Sequence, residues 1–202
     1  MTLSFYLATK NRNKVREARQ ILKETGIKVL LPEGRDIVYP EETGKTFREN
    51  ALIKASCLRD IMGAGLFVGE DSGLVVENLA GLPGILSARF SGKQGDDTAN
   101  IMKLIDMMKD YTRPEDRQAE FVTAVSLLGE GEKRFFEGRI KGTITFCPRG
   151  SGGFGYDPVF EIPSTGKTFA EITAAEKNRI SHRAEAFKRL ARYLVDKYAE
   201  KV

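Results

Sequence analysis

The sequence predicts a mixed α/β fold, one compact domain with two lobes over residues 1–202, and three observations predict it. The chain opens as strand, polar loop, helix, strand, an alternation that belongs to α/β folds. Two strand-like runs in its middle, Ala119 to Leu128 and Arg134 to Lys141, are joined by Gly129-Glu130-Gly131-Glu132 and read as an antiparallel pair. A long amphipathic helix then closes the chain. A length of 202 residues suffices for one sizeable core or for two lobes sharing a cleft.

The elements follow in order. Ser4 to Thr9 is a short buried strand that runs into the polar turn Lys10-Asn11-Arg12-Asn13-Lys14. A helix follows, with Val15, Ala18, Ile21 and Leu22 on its apolar stripe and Gly26 as its C′ residue. Lys28 to Leu31 is a second strand. Thr46-Phe47-Arg48-Glu49 matches a capping box and opens a helix to about Met62, packed through Ala51, Ala55 and Leu58. Leu66 to Val68 is a strand expected to end at Gly69-Glu70-Asp71-Ser72-Gly73, with Leu74 to Val76 as its continuation and Gly81-Leu82-Pro83-Gly84 as a turn. Asp97 to Met108 is a helix with Ile101, Leu104, Ile105 and Met108 on one side. After the antiparallel pair, the short run Thr143 to Phe146 leads into a glycine-rich stretch from Arg149 to Tyr156. Ser181 is expected to cap the final helix, whose buried stripe is Phe187, Leu190, Leu194, Val195 and Tyr198.

Composition narrows the class. A hydrophobic share of 41% and a charged share of 30% suit a soluble globular protein. No apolar run is long enough to span a bilayer, so no membrane partner is expected. The first residues lack a signal peptide's basic start and apolar core. Cys57 and Cys147 form no disulfide or metal-site pattern, and a reducing, cytoplasmic location is expected. The net charge of +4 is too mild to argue for nucleic acid, although it suits an anionic ligand. From Lys177 onward eight basic residues face three acids, which reads either as a solvated helix surface or as a basic face for that ligand.

Four groups of residues could carry chemistry. The loop from Thr9 to Lys14 enters a helix N-terminus, where backbone N–H groups and the dipole favour an anion. Thr9 and Asn11 add hydrogen bonds and Lys14 a charge; without Walker glycines this is no P-loop. Glu41, Glu42, Glu70 and Asp71 could hold a hard cation such as magnesium, which needs only one or two carboxylates beside phosphates. A carboxylate at the strand end could also deprotonate water, although Asp-Ser-Gly is equally good turn chemistry. In Gly150-Ser151-Gly152-Gly153-Phe154-Gly155-Tyr156-Asp157, Phe154 or Tyr156 could stack on a planar base or anchor the loop, and Asp157 accepts hydrogen bonds. His182 and Arg183 can donate to a carbonyl oxygen from the first turn of the last helix.

Taken together, Thr9-x-Asn11-x-x-Lys14, Pro40-Glu41-Glu42-Thr43-Gly44, Thr46-Phe47-x-Glu49-Asn50-Ala51, Glu70-Asp71-Ser72-Gly73-Leu74, Gly152 to Pro158 and Ser181-His182-Arg183 resemble the inosine triphosphate pyrophosphatase family, the XTP/dITP diphosphatases. The six motifs stand in order across nearly the whole chain. The resemblance implies an elongated mixed β-sheet flanked by helices, in two lobes with the active-site cleft between them. It implies a magnesium-dependent homodimer that hydrolyses ITP, dITP and XTP to the monophosphate and pyrophosphate. By the same resemblance, Thr9, Lys10, Asn11, Arg12, Asn13, Lys14, Lys54 and Ser72 serve the triphosphate, and Glu41 and Asp71 the metal. Asp71 is also the proton acceptor for water, while Phe154, Gly155, Tyr156, Asp157, Lys177, His182 and Arg183 serve the base. Many members carry two aspartates where this chain has Glu70-Asp71, so the resemblance assigns Glu70 no role.

Base chemistry agrees with that expectation. Hypoxanthine and xanthine offer an O6 acceptor and an N1–H donor, suited to donors at His182 and Arg183 and an acceptor at Asp157. Adenine reverses both groups and leaves buried polar atoms unpaired, at roughly 1–3 kcal/mol each. Guanine shares O6 and N1–H, so its rejection depends on the 2-amino group. Two other classes compete. A Maf-type pyrophosphatase acting on methylated or pyrimidine triphosphates would not need the Phe154-to-Asp157 and Ser181-His182-Arg183 segments. A nucleic-acid module would not place Glu41, Glu70 and Asp71 where they repel a phosphate backbone.

Overall fold

The computed structural model describes residues 3–32, 37–129 and 131–198. Met1, Thr2, Glu130 of the expected hairpin connection and the end of the basic C-terminal segment lie outside the described residues. Seven strands form one mixed, open sheet in the order β2-β1-β3-β4-β5-β6-β7. By its contacts the chain divides into two compact units, each with its own core.

The first unit comprises Met1–Asp71, Thr123–Gly138 and His182–Val202. It begins with β1 (Ser4–Ala8), α1 (Arg12–Ile21) and β2 (Lys28–Leu30), followed by α2 (Phe47–Met62) and β3 (Phe67–Val76). β1 pairs in parallel with β2 on one side and with β3 on the other, Ala8 lying opposite Gly69. Parallel neighbours need crossover connections, and the helical segments α1 and α2 provide them. The unit also takes part of β4 (Gln118–Gly129), part of β5 (Glu132–Ile144) and α5 (His182–Tyr198). Its main core joins Phe5, Leu7, Val15, Ala18 and Leu22 to Val125, Leu127, Phe187, Leu190 and Leu194.

The second unit comprises Ser72–Val122 and Arg139–Ser181. It contains α3 (Asp97–Met107), β6 (Phe160–Ile162), β7 (Lys167–Thr168) and α4 (Ala174–Ile180), with β5, β6 and β7 pairing antiparallel in turn. Leu74, Leu104, Phe121, Tyr156, Phe160 and Phe169 lie in its core. Arg117 is buried there and donates to the carbonyls of Met108, Tyr111, Ile144 and Thr145, which fastens the C-terminal end of α3 to β5.

Several local expectations change. The Gly69-to-Gly73 stretch is no strand end, because β3 runs unbroken through it. A Cβ on Gly69 would collide with the Ala51 carbonyl of α2, so this glycine permits close helix–strand approach rather than a turn. Thr143 and Ile144 complete β5 instead of forming a separate strand. Val195 is solvent-exposed rather than on the stripe of α5, and Tyr198 packs on the core only in part. Thr46 caps α2 through the Glu49 N–H, but Glu49 reaches back to the Lys45 N–H, one residue earlier than a capping box requires. Ser181 is extended and donates its N–H to the Lys177 carbonyl, ending α4 immediately before α5 begins. α4 itself was not anticipated, although Thr173-Ala174-Ala175-Glu176 forms a full capping box at its start.

Candidate active site

The chain leaves β1 for β2 on one side and later returns to β3 on the other. Open parallel sheets bind ligands where the strand order reverses in this way, at the carboxyl ends of the strands. Here the carboxyl end of β1 carries Thr9, and Glu70-Asp71, midway along the longer β3, lie level with it because Ala8 pairs with Gly69.

In the first loop, Thr9 Oγ1 accepts the Asn11 N–H at 3.1 Å. Asn11 is the N-cap of α1, and its Oδ1 accepts the N–H groups of Asn13 (2.9 Å) and Lys14 (3.2 Å). Two of the N–H groups expected to meet an anion, those of Asn13 and Lys14, are therefore already capped by Asn11. Asn13 Oδ1 accepts from Arg16. Lys10 and Arg12 line, with Thr9, Arg16, Arg19 and Tyr39, a cavity of about 670 Å³ beside α1. Lys14 turns inward, its Nζ 3.5 Å from Glu70 Oε1, and burial lowers its pKa against the pull of Glu70.

Glu70 and Asp71 are neighbours with different surroundings. Glu70 Oε1 accepts from Arg183 Nε (3.1 Å) and Nη2 (2.9 Å), while Arg183 Nη1 donates to Glu17 of α1. Burial alone would raise the Glu70 pKa, but Arg183 and then Lys14 bring it down to about 2. Its second oxygen, Oε2, is buried and has no hydrogen-bond partner. Asp71 Oδ1 lies 3.0 Å from Lys54 Nζ, and Oδ2 accepts from Asn50 Nδ2 at 3.3 Å. Burial raises the Asp71 pKa, more than Lys54 and Lys14 lower it. Such a carboxylate is a better proton acceptor than an exposed one.

Lys54 also meets Glu42 Oε1 at 2.9 Å, whereas Glu41 is exposed. Its pKa is raised overall: burial opposes the charge, but Asp71 and Glu42 outweigh it. The loop that carries these acids is held by Gly44, whose N–H donates to Asn50 Oδ1 at 2.8 Å. A Cβ on Gly44 would crowd Asn50 and Glu49. Around Asp71 the carboxylates of Glu17, Glu42, Glu70 and Asp71 alternate with the cations of Lys14, Lys54 and Arg183. Among the described residues no three His, Cys, Asp or Glu side chains gather at metal-binding spacing. The Asp71 carboxylate beside the unpartnered Glu70 oxygen suits a hard divalent cation that keeps waters and takes phosphate ligands.

Glu17 and Asn50 have no role in the sequence reading, and Glu42 stands there only as a possible cation ligand, not as the partner of Lys54. Asn50 and Lys54 had a visible signal, two polar residues at i and i+4 on the buried face of α2. Glu17 had a fainter one, an acid beside Ala18 on the inner side of α1.

The second unit holds the glycine-rich loop. Gly153 has φ +74°, and a Cβ there would strike the Asp157 carboxylate. Asp157 Oδ2 accepts the Phe154 N–H at 2.9 Å and Lys177 Nζ at 2.5 Å, both partners being buried. Lys177 Nζ stands 4.7 Å from the centre of the Phe154 ring. Tyr156 is a core residue whose hydroxyl donates to the Ser87 carbonyl at 2.9 Å, so Tyr156 anchors the loop and Phe154 is the half-buried ring. Gly155 N–H donates to Asp97 Oδ2 at 2.7 Å. Ser72 continues β3 and is half-buried. His182 and Arg183 open α5 in the first unit, and both are buried.

Fold and site together define an α/β protein with a buried, lysine-paired carboxylate at the switch point of a mixed sheet. The chain belongs to the Ham1 family, which matches residues 5–193. It is 45% identical over 194 residues to the dITP/XTP pyrophosphatase of Bacillus licheniformis, covering 93% of this chain and 96% of that one. It is 46% identical over 190 residues to the dITP/XTP pyrophosphatase of Streptomyces coelicolor, covering 91% and 93%. A HAM1 protein from Coxiella burnetii superposes with a TM-score of 0.86 at 35% identity, over 96% of this chain and 99% of the other.

Proposed function

We propose that this chain hydrolyses abnormal purine nucleoside triphosphates (dITP, ITP and XTP) to the monophosphate and pyrophosphate, in the cytoplasm. The observation that carries this is Asp71, a buried carboxylate of raised pKa held by Lys54 and Asn50 beside the polar loop after β1. Whole-length similarity to two dITP/XTP pyrophosphatases supports it.

Asp71 orients a water against the α-phosphorus and takes its proton as the new P–O bond forms. The bond from the α-phosphorus to its bridging oxygen breaks, and pyrophosphate leaves. Lys54 and Lys14 neutralise the outer phosphates, with Thr9, Lys10, Asn11, Arg12, Asn13 and Ser72 as further ligands of the triphosphate. Asp71 and a carboxylate of the 41–42 loop would hold magnesium, which when bound polarises the phosphate under attack. Phe154 stacks on the base, positioned by Gly155 and Tyr156. Lys177 and His182 serve its 6-oxo edge, and Asp157 orients Lys177. Arg183, expected on the same edge, instead spends its guanidinium on Glu70 and Glu17 and is a positioning residue for Glu70.

The first test is product analysis. With ITP and magnesium the initial products are IMP and pyrophosphate, and EDTA abolishes turnover. Chromatography showing IDP and orthophosphate as the main initial products would overturn the assignment.

A further inference from the structure

The Phe154-to-Asp157 loop is tied down at three points. Asp157 is buried with Lys177, and the Tyr156 hydroxyl is bound to the Ser87 carbonyl. The third tie comes from an exposed residue outside every motif of the site. Asp97, the first residue of α3, accepts the Gly155 N–H at 2.7 Å across 58 positions of sequence. Asp97 is not needed to cap its own helix, because Asp96 is the N-cap and accepts the Ala99 N–H at 3.1 Å. Gly155 has φ +61° and Gly153 φ +74°, so the backbone on both sides of Phe154 is in the left-handed region and the ring's direction depends on how those peptides are held. A charged acceptor makes a stronger and more directional hydrogen bond than a neutral one. Beside it, Tyr156 keeps its proton to higher pH than usual, first because it is buried and then because Asp97 is near.

We propose that Asp97 is a positioning residue for base recognition: by holding the Gly155 N–H it sets the Phe154 ring where a purine stacks. This rests on the assignment of Phe154 to the base. Asp97 is none of the residues assigned to the triphosphate or the metal and acts on catalysis only through the loop.

The test compares the full chain with Asp97→Ala, Asp97→Asn and Phe154→Ala, measuring kcat and KM for ITP. Inhibition by inorganic tripolyphosphate, which has no base, is measured in parallel with melting temperature. Asp97→Ala is expected to raise the ITP KM at least about five-fold, with kcat within about two-fold. Tripolyphosphate inhibition and melting temperature are expected to stay at wild-type values. Asp97→Asn keeps an acceptor oxygen and is expected to restore most of the KM. An unchanged KM in Asp97→Ala, where Phe154→Ala raises it, overturns the proposal. So does equal weakening of tripolyphosphate, or an Asn variant no better than Ala. If Phe154→Ala leaves the ITP KM unchanged, the placement of the base on Phe154 falls first, and the role of Asp97 with it.

Discussion

Opposing influences act on Asp71: burial raises its pKa, while Lys54 and Lys14 work the other way. Replacing it by Asn keeps the shape and the tie to Asn50 but removes the proton acceptor, and Lys54 keeps Glu42 as a partner. Turnover of ITP in Asp71→Asn should fall by about 10²–10⁴-fold. A purified, folded variant retaining more than about a tenth of the wild-type rate would contradict the role of Asp71. Glu70 answers differently to acid. Its folded pKa of about 2 lies below the ordinary 4.5, so the native state holds that proton less tightly than the unfolded chain. The stabilisation, roughly 3 kcal/mol, is complete above about pH 4.5 and lost as pH falls towards 2. Asp71, with a raised pKa, binds its proton more tightly when folded and offsets part of that loss. Urea unfolding from pH 6 down to about 2 should show a steeper acid decline for wild type than for Glu70→Gln. Parallel curves for the two proteins would show that Arg183 and Lys14 do not hold Glu70 in this way.

Within elements, glycine decides how closely segments approach. Gly69 of β3 lies against the Ala51 carbonyl of α2, and Gly138 of β5 against the His182 carbonyl where α5 begins. Each brings a site-bearing helix onto its strand. Gly69→Ala forces α2 outward and is expected to destabilise the protein by at least about 2 kcal/mol. It should also raise the KM for ITP, because Asn50 and Lys54 move with the helix. Equilibrium unfolding with a loss below about 0.5 kcal/mol would show that the contact yields easily. Helix starts were legible as local chemistry, as at Thr46 and Asn11, whose side chains accept the N–H groups of the first turn. The continuity of β3 was not. Gly-Glu-Asp-Ser-Gly has the composition of a turn, and only its neighbour α2 shows why a glycine is needed in a strand.

For the molecule as a whole, we propose a homodimer. Light scattering on the purified chain should give twice 22.5 kDa at micromolar concentration, and a mass of one chain there would refute it. Among the described residues no helix is long and apolar enough to cross a membrane. The net charge of +4 coexists with a cluster in which Asp71, Glu70 and Glu42 lie among Lys14, Lys54 and Arg183. A mild overall positive charge suits an anionic ligand.

The sequence by itself determined the α/β class, the position of most strands and helices, and six ordered motifs that placed the chain near one family. Those features depend on neighbours a few residues apart, where periodicity, capping and turn chemistry act. The tertiary structure alone decided who partners whom. It set Glu42 rather than Glu41 on Lys54, committed Arg183 to Glu17 and Glu70, and made Tyr156 the core anchor while leaving Phe154 half-buried. It also brought Asp97 to Gly155. Each of these pairs joins segments distant in the chain. Their meeting is fixed by strand register and by helix–strand packing distance, which no local pattern of residues encodes.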